Sequence, residues 1–149
     1  MKTKYWFVLI SMSILLAACA EKPANQASTV SSEAIAGQKV AVPGGEYTNI
    51  SVSDLQEMLK NKDFVFVNVH IPFEGDIPNT DLSIPYNEID QNLDQLPAEK
   101  DARIVLYCRS DRMSTIASET LAGLGYTNVA NLEGGMVAWE QAGLQIEGK

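Results

Sequence analysis

The sequence predicts an α/β domain with a central parallel sheet and helices on both faces. Two segments carry most of this reading. "FVFVNV", Phe64 to Val69, and "ARIVLYC", Ala102 to Cys108, are largely apolar runs rich in β-branched and aromatic residues. Such runs belong to strands buried on both faces, since a strand with one wet face alternates. Stretches with apolar residues at helical spacing lie between and after them, and strand–helix alternation is the pattern of a parallel sheet with crossover helices. The length, 149 residues, suits one such domain.

A segment of another kind precedes the domain. Lys2 and Lys4 supply positive charge, and "YWFVLISMSILLAA", Tyr5 to Ala18, is an apolar run ending in small residues just before Cys19. This is the composition of a secretory leader, and the run is too short for a comfortable permanent span. The junction "LAAC", Leu16 to Cys19, resembles the lipobox of bacterial lipoproteins. That resemblance implies loss of residues 1–18 and a lipid on Cys19. The protein is then expected at the cell envelope, held to a membrane by its anchor and facing the periplasm or the exterior. Residues 19–45, rich in Ala, Ser, Gln, Pro and Gly without a sustained period, read as a flexible tether. The domain is expected over 46–149.

Within the domain "YTNIS" predicts a short strand. "SVSDLQEMLKN" predicts a helix, with Ser51 or Ser53 as its cap and Leu55, Met58 and Leu59 on one face. The first buried strand, 64–69, leads into a long loop from His70 to about Pro85 that holds Pro72, Pro78 and Pro85. "YNEIDQNLDQL" predicts a short helix before the strand at 102–108. "SDRMSTIASETLAGLG" predicts a helix closed by Gly123 or Gly125. "TNVANL" is a further strand and "GGMVAWEQAG" a final helix.

Charge and composition remove several functions. A net charge of −8 is a poor match to nucleic acid, whose binding needs Lys and Arg against phosphate. The chain has one histidine, His70, and two cysteines, Cys19 and Cys108, so no Cys/His metal spacing exists and no metal or organic cofactor is expected.

Cys108 is the residue that asks for a function. With Cys19 lipidated it has no intramolecular partner, and an unpaired thiol outside the cytoplasm needs a reason. It ends a strand of a parallel sheet, and ligands bind beyond the carboxyl ends of such strands. A helix beginning between Asp111 and Ser114 turns unpaired N–H groups toward the loop. Those donors, the helix dipole, Arg109 and Arg112 all favour a thiolate, while Asp111 opposes it. A thiolate so placed attacks sulfur or phosphorus. Cysteine-dependent phosphatases carry C-x5-R, whose arginine clamps phosphate. Here the sixth position after Cys108 is Ser114, and Arg112 comes only four positions on. Phosphoryl transfer is therefore disfavoured, as is an arsenate-reductase-like reaction, which also needs a second thiol. On the residues alone Cys108 could equally be a small buried apolar group, Ser110 and Ser114 helix caps, and Arg109 and Arg112 solvated charges.

Three motifs together resemble the rhodanese-like sulfurtransferases. "CRSDRMS" resembles that family's active loop, C-R-S-G-x-R-S, at Cys108, Arg109, Ser110 and Ser114. "NLEGGMVAWEQAGLQI", Asn131 to Ile146, resembles its closing strand, Gly-Gly turn and Trp-bearing helix. "VNVHIPFEGDIPNTDLSIPYNEI" resembles its earlier strand followed by an acidic residue and G-H-I-P-G-A. The resemblance implies a rhodanese-like fold over about 46–146 and Cys108 as the nucleophile. It further implies a cradle over Arg109, Ser110, Asp111, Arg112, Met113 and Ser114, a small sulfur-containing donor, a thiol or cyanide acceptor, and a monomer. The chain departs from the family at Asn68 (usually Asp), His70 (Arg), Asp76 (His) and Asp111 (Gly). Met113 replaces the loop's second Arg, which appears one place early as Arg112. A rival reading follows from these departures, a module that holds an anion or a persulfide without turning over. His70 reads as a structural hydrogen-bonder near the site, and Glu74 as a partner for a backbone group or an arginine. Gly134 and Gly135 read as backbone positions needing positive φ or a close approach to the active loop. Trp139 reads as core.

Overall fold

The computed structural model describes residues 33–149. The expected leader at 1–18, Cys19 and the tether up to residue 32 lie outside the described residues. No helix among those described is long and apolar enough to cross a membrane.

Six strands form one sheet in the order β1-β2-β6-β5-β3-β4. They are β1 (Gln38–Val42), β2 (Gly45–Ile50), β3 (Val65–Asn68), β4 (Leu82–Ser83), β5 (Ile104–Tyr107) and β6 (Val129–Leu132). All neighbours run parallel except the β1–β2 hairpin at the edge. The helices are α1 (Val52–Leu59), α2 (Arg112–Gly123) and α3 (Gly135–Gln141).

The central strands are buried on both faces, as their composition requires, and they divide two cores. Val67, Ile104, Leu106 and Val129 point toward α2, where Ala117, Leu121 and Tyr126 meet them. Phe66, Val105, Tyr107, Ala130 and Leu132 point the other way, onto Leu55, Met136 and Trp139 of α1 and α3. The helices therefore cover both faces, and Trp139 is core, with its indole N–H donating to the Gln145 carbonyl at 3.0 Å.

Three expectations are corrected. The ordered domain begins before residue 46. Residues 38–42 are a strand paired with β2 in register from Gln38↔Asn49 to Val42↔Gly45. Val40 and Val42 lie against one core, and Ile35 is buried in the other. The tether reading thus fails over 33–45, where apolar residues find a sheet edge to cover. The helix expected at 86–96 is two separate 3-10 turns, Ile89–Gln91 and Leu93–Gln95. Asn92 between them, at φ −119°, leaves the helical region and has no side-chain cap to continue it. The long loop after β3 contains the two-residue strand β4, parallel to β3.

The helix termini follow local chemistry. Ser51 caps α1: its hydroxyl accepts from the Asp54 amide at 3.2 Å, and the Asp54 carboxylate accepts the Ser51 amide at 2.9 Å, a reciprocal capping box. α2 ends at Gly123, and the chain then turns through Gly125 at φ +87°.

Candidate active site

Cys108 follows directly on β5, and the loop of Cys108 to Asp111 delivers the chain into α2. The cysteine is 2 % exposed. Its sulfur accepts two donors: the Asp111 amide at 3.1 Å and the Ser114 hydroxyl at 3.4 Å. The first-turn amides of α2 add donors without intrahelical partners, as at any helix start. A pocket of about 150 Å³ opens over this loop, lined by His70, Cys108, Arg109, Ser110, Arg112 and Met113.

The loop is held from behind. Gly135, at φ +53°, brings the start of α3 so close that a Cβ there would stand 2.1 Å from the Cys108 carbonyl oxygen. That approach lets the Met136 amide donate to the Cys108 carbonyl and the Val137 amide to the Arg109 carbonyl, each at 2.9 Å. The sequence reading of the Gly-Gly turn as a close approach to the loop matches this contact.

The predicted loop residues divide by what their side chains do. Ser114 is fully buried, and its single hydroxyl proton is shared between the Asp111 carbonyl at 2.9 Å and the sulfur at 3.4 Å. Asp111 contributes its amide; its carboxylate turns away and accepts Asn131 Nδ2 at 2.8 Å. Arg109 is exposed and paired with Glu74, one of the two kinds of partner, backbone group or arginine, expected for that acid. Ser110 and Arg112 are exposed at the pocket. Met113 lines the pocket and also packs on the core beneath α2.

The departures at Asn68 and Asp76 meet each other. Asn68, 1 % exposed, donates from Nδ2 to Asp76 Oδ1 at 2.9 Å and to the Gly75 carbonyl at 3.0 Å. Its Oδ1 accepts the His70 amide at 3.0 Å. Tyr107 completes the group. Its hydroxyl donates to Asp76 Oδ1 at 3.1 Å and accepts the Ile77 amide at 3.0 Å, with Thr80 Oγ1 at 2.7 Å. Burial pushes the Tyr107 phenol far up, and the Asp76 charge adds to the shift, so it stays neutral. These contacts fasten the 70–80 loop beside the site.

His70 differs from its sequence reading. Its side chain is 8 % exposed, yet neither ring nitrogen has a hydrogen-bond partner. Nε2 lies 3.7 Å from Glu74 Oε1, a charge contact too long for a hydrogen bond. Partial desolvation pushes the Glu74 carboxyl up, but the Arg109 guanidinium and His70 outweigh it and hold the group below the usual range. Asn131 was not singled out from sequence, although a buried amide inside "TNVANL" is the kind of signal that marks a fixed polar contact.

Comparison with other proteins shows what this chain is similar to. A sulfurtransferase of Allochromatium vinosum is 35 % identical over 94 residues, covering 61 % of this chain and 85 % of that one. The rhodanese-related protein of Thermoplasma volcanium superposes with a TM-score of 0.56 at 31 % identity, over 66 % of this chain and 95 % of the other. A rhodanese-like domain protein of Staphylococcus aureus superposes with a TM-score of 0.56 at 32 % identity, over 67 % and 98 %. Residues 51–142 match the Rhodanese-like domain family, and with this loop, this sheet order and these relatives the chain belongs to that family.

Proposed function

We propose that the protein is a sulfurtransferase that moves sulfane sulfur from a small donor, through a persulfide on Cys108, to a thiol or cyanide acceptor. The observation that carries this reading is the pair of donors on the Cys108 sulfur, the Asp111 amide and the Ser114 hydroxyl. The Cys108 thiolate attacks the outer sulfur of the donor. The donor's sulfur–sulfur bond breaks, and its electron pair leaves with the departing group. The outer sulfur of the new persulfide then occupies the 150 Å³ pocket, facing Ser110, Arg112 and the first turn of α2. Preorganised donors stabilise charge at that point without reorganising. The similarity to the Allochromatium sulfurtransferase supports the same chemistry. Lipidation at Cys19, display at the envelope and action as a monomer belong to this proposal.

The test is intact-mass spectrometry of the full chain after exposure to thiosulfate and to organic persulfides. Gain of one sulfur on Cys108, followed by its loss on adding a thiol, is the expected result. A Cys108 that never gains sulfur would overturn the reading. A persulfide that forms but resists all acceptors would point to the carrier module.

A further inference from the structure

His70 is a buried titratable side chain beside the site that sulfur transfer as written leaves without a task. Its ring nitrogens lack partners, its side chain is nine-tenths buried, and it lines the same small pocket as Cys108. Buried polar atoms are almost always paired. An imidazole left unbonded at the wall of a reaction pocket has its hydrogen-bonding capacity in reserve for whatever enters.

The two half-reactions of sulfur transfer differ in their need for such a group. Loading from thiosulfate moves no proton: the Cys108 thiolate takes the outer sulfur, and sulfite leaves with the bonding pair. Discharge to a thiol does move one. The acceptor R–SH must lose its proton for R–S⁻ to attack the outer sulfur of the Cys108 persulfide. The bond from that sulfur to Sγ then breaks, its electron pair restores the Cys108 thiolate, and R–S–S⁻ departs.

We propose that His70 is the general base of this discharge step, its imidazole accepting the proton of a thiol acceptor as the thiol attacks. The inference rests on the sulfur-transfer reading and deepens it, because it makes protonated alkyl thiols the acceptor class. The surroundings fit. Glu74 Oε1, 3.7 Å from Nε2, compensates the imidazolium once formed. Asn68 holds the His70 backbone by accepting its amide. The other charged or ionisable groups lining the pocket with His70 are Arg109, which Glu74 already neutralises, Arg112 of α2, and Cys108. A volume near 150 Å³ equals about five waters, enough for the thiol end of an acceptor beside the persulfide sulfur.

The experiment separates the half-reactions. Wild type, His70→Gln and His70→Ala are loaded with thiosulfate and the persulfide is measured by intact mass. Each is then discharged, across a pH series, with an alkyl thiol that is protonated at neutral pH and with an aromatic thiol that is already ionised. His70→Gln should load as wild type does. Its discharge to the alkyl thiol should fall by about 10²–10³-fold and no longer follow the wild-type pH profile. Its discharge to the aromatic thiolate should keep pace with wild type. Added imidazole should restore alkyl discharge in His70→Ala. Equal losses with both thiols, or a loss already at loading, would overturn the assignment and leave His70 a structural residue. Wild type that fails to load would instead sink the sulfur-transfer reading itself, and that result appears before any thiol is added.

Discussion

The Asp111 amide donates to the Cys108 sulfur at 3.1 Å from a backbone held at φ +119°, a conformation that side chains with a Cβ rarely adopt. The family places glycine there, which reaches such angles without strain. This chain keeps the geometry by anchoring the Asp111 carboxylate on Asn131, which is itself fixed through Asn49. Strained backbone persists where its surroundings over-determine it.

The strain is separable from the anchor. Asp111→Ala and Asp111→Gly both lose the carboxylate, but only the alanine variant must still hold a Cβ at φ +119°. Asp111→Ala should therefore be less stable than Asp111→Gly by about 1–3 kcal/mol. Chemical denaturation of the two variants measures the difference. Equal midpoints and slopes would mean that the loop relaxes to an unstrained conformation once the carboxylate is gone.

Asn68 and Asp76 form one buried pair, so their substitutions should couple. Asn68→Asp sets a second carboxylate beside Asp76 Oδ1, where a 2.9 Å hydrogen bond now stands. It should cost about 2–3 kcal/mol. Two carboxylates at one site raise a folded-state pKa above its unfolded value. The variant should then regain stability as pH falls and one carboxyl takes a proton. Asp76→His alone removes a carboxylate acceptor shared by Asn68 and Tyr107. The double variant restores opposite partners, and its loss should be smaller than the sum of the singles by about 1–2 kcal/mol. Strict additivity in the thermodynamic cycle would contradict the pairing.

What the sequence showed and what it hid divide by sequence distance. β3 and β5 were legible because strands buried on both faces leave largely apolar, β-branched and aromatic runs, and β6 because a short strand candidate, "TNVANL", precedes the Gly-Gly turn. β1 was not: "QKVAV" is an edge strand whose first two residues are exposed, and its composition blends with the polar stretch before it. The active loop could be read because Cys108 and Ser114 lie within seven consecutive residues. The Gly135 contact could be read because a motif carried it. The contacts that fix the site from outside could not. Asp111 meets Asn131 and Tyr107 meets Asp76 across folded loops, and no local period encodes such pairings. His70 is the sharpest case: the sequence offers a histidine among prolines, and only the fold discloses that neither ring nitrogen is hydrogen-bonded.

The capping box of α1 gives a prediction in pH. The Ser51 hydroxyl, and then the Ser51 amide, hold the Asp54 carboxyl below its usual range. A depressed folded-state pKa contributes stability that is present above the unfolded value and lost as pH falls through the folded one. Ser51→Ala should cost about 1 kcal/mol at neutral pH. The gap between wild type and variant should narrow in acid, as Asp54 is protonated and its own hydrogen bonds weaken. Thermal unfolding from pH 7 downward to about pH 3, near the ordinary carboxylate range, reads this directly. A gap that stays constant over the whole series would mean that the serine acts without its acidic partner.

Ser114 marks the reaction class. Six residues after the cysteine it stands where a phosphate-binding loop would carry its arginine, and it is fully buried with its hydroxyl 3.4 Å from the sulfur. A phosphoryl group in this pocket would find no bidentate clamp, and Arg112 is exposed at the rim. Aryl phosphates should therefore show no Cys108-dependent hydrolysis, and vanadate should not protect the cysteine from alkylation. Loading from thiosulfate depends on the hydroxyl only as one donor among several. Ser114→Ala should slow it by about tenfold, the loss of roughly one hydrogen bond to a charged group, while leaving the Asp111 amide in place. Phosphatase turnover that disappears in Cys108→Ser would overturn the assignment to sulfur. Loading that is untouched in Ser114→Ala would move the burden of stabilising the thiolate onto the backbone amides of the loop.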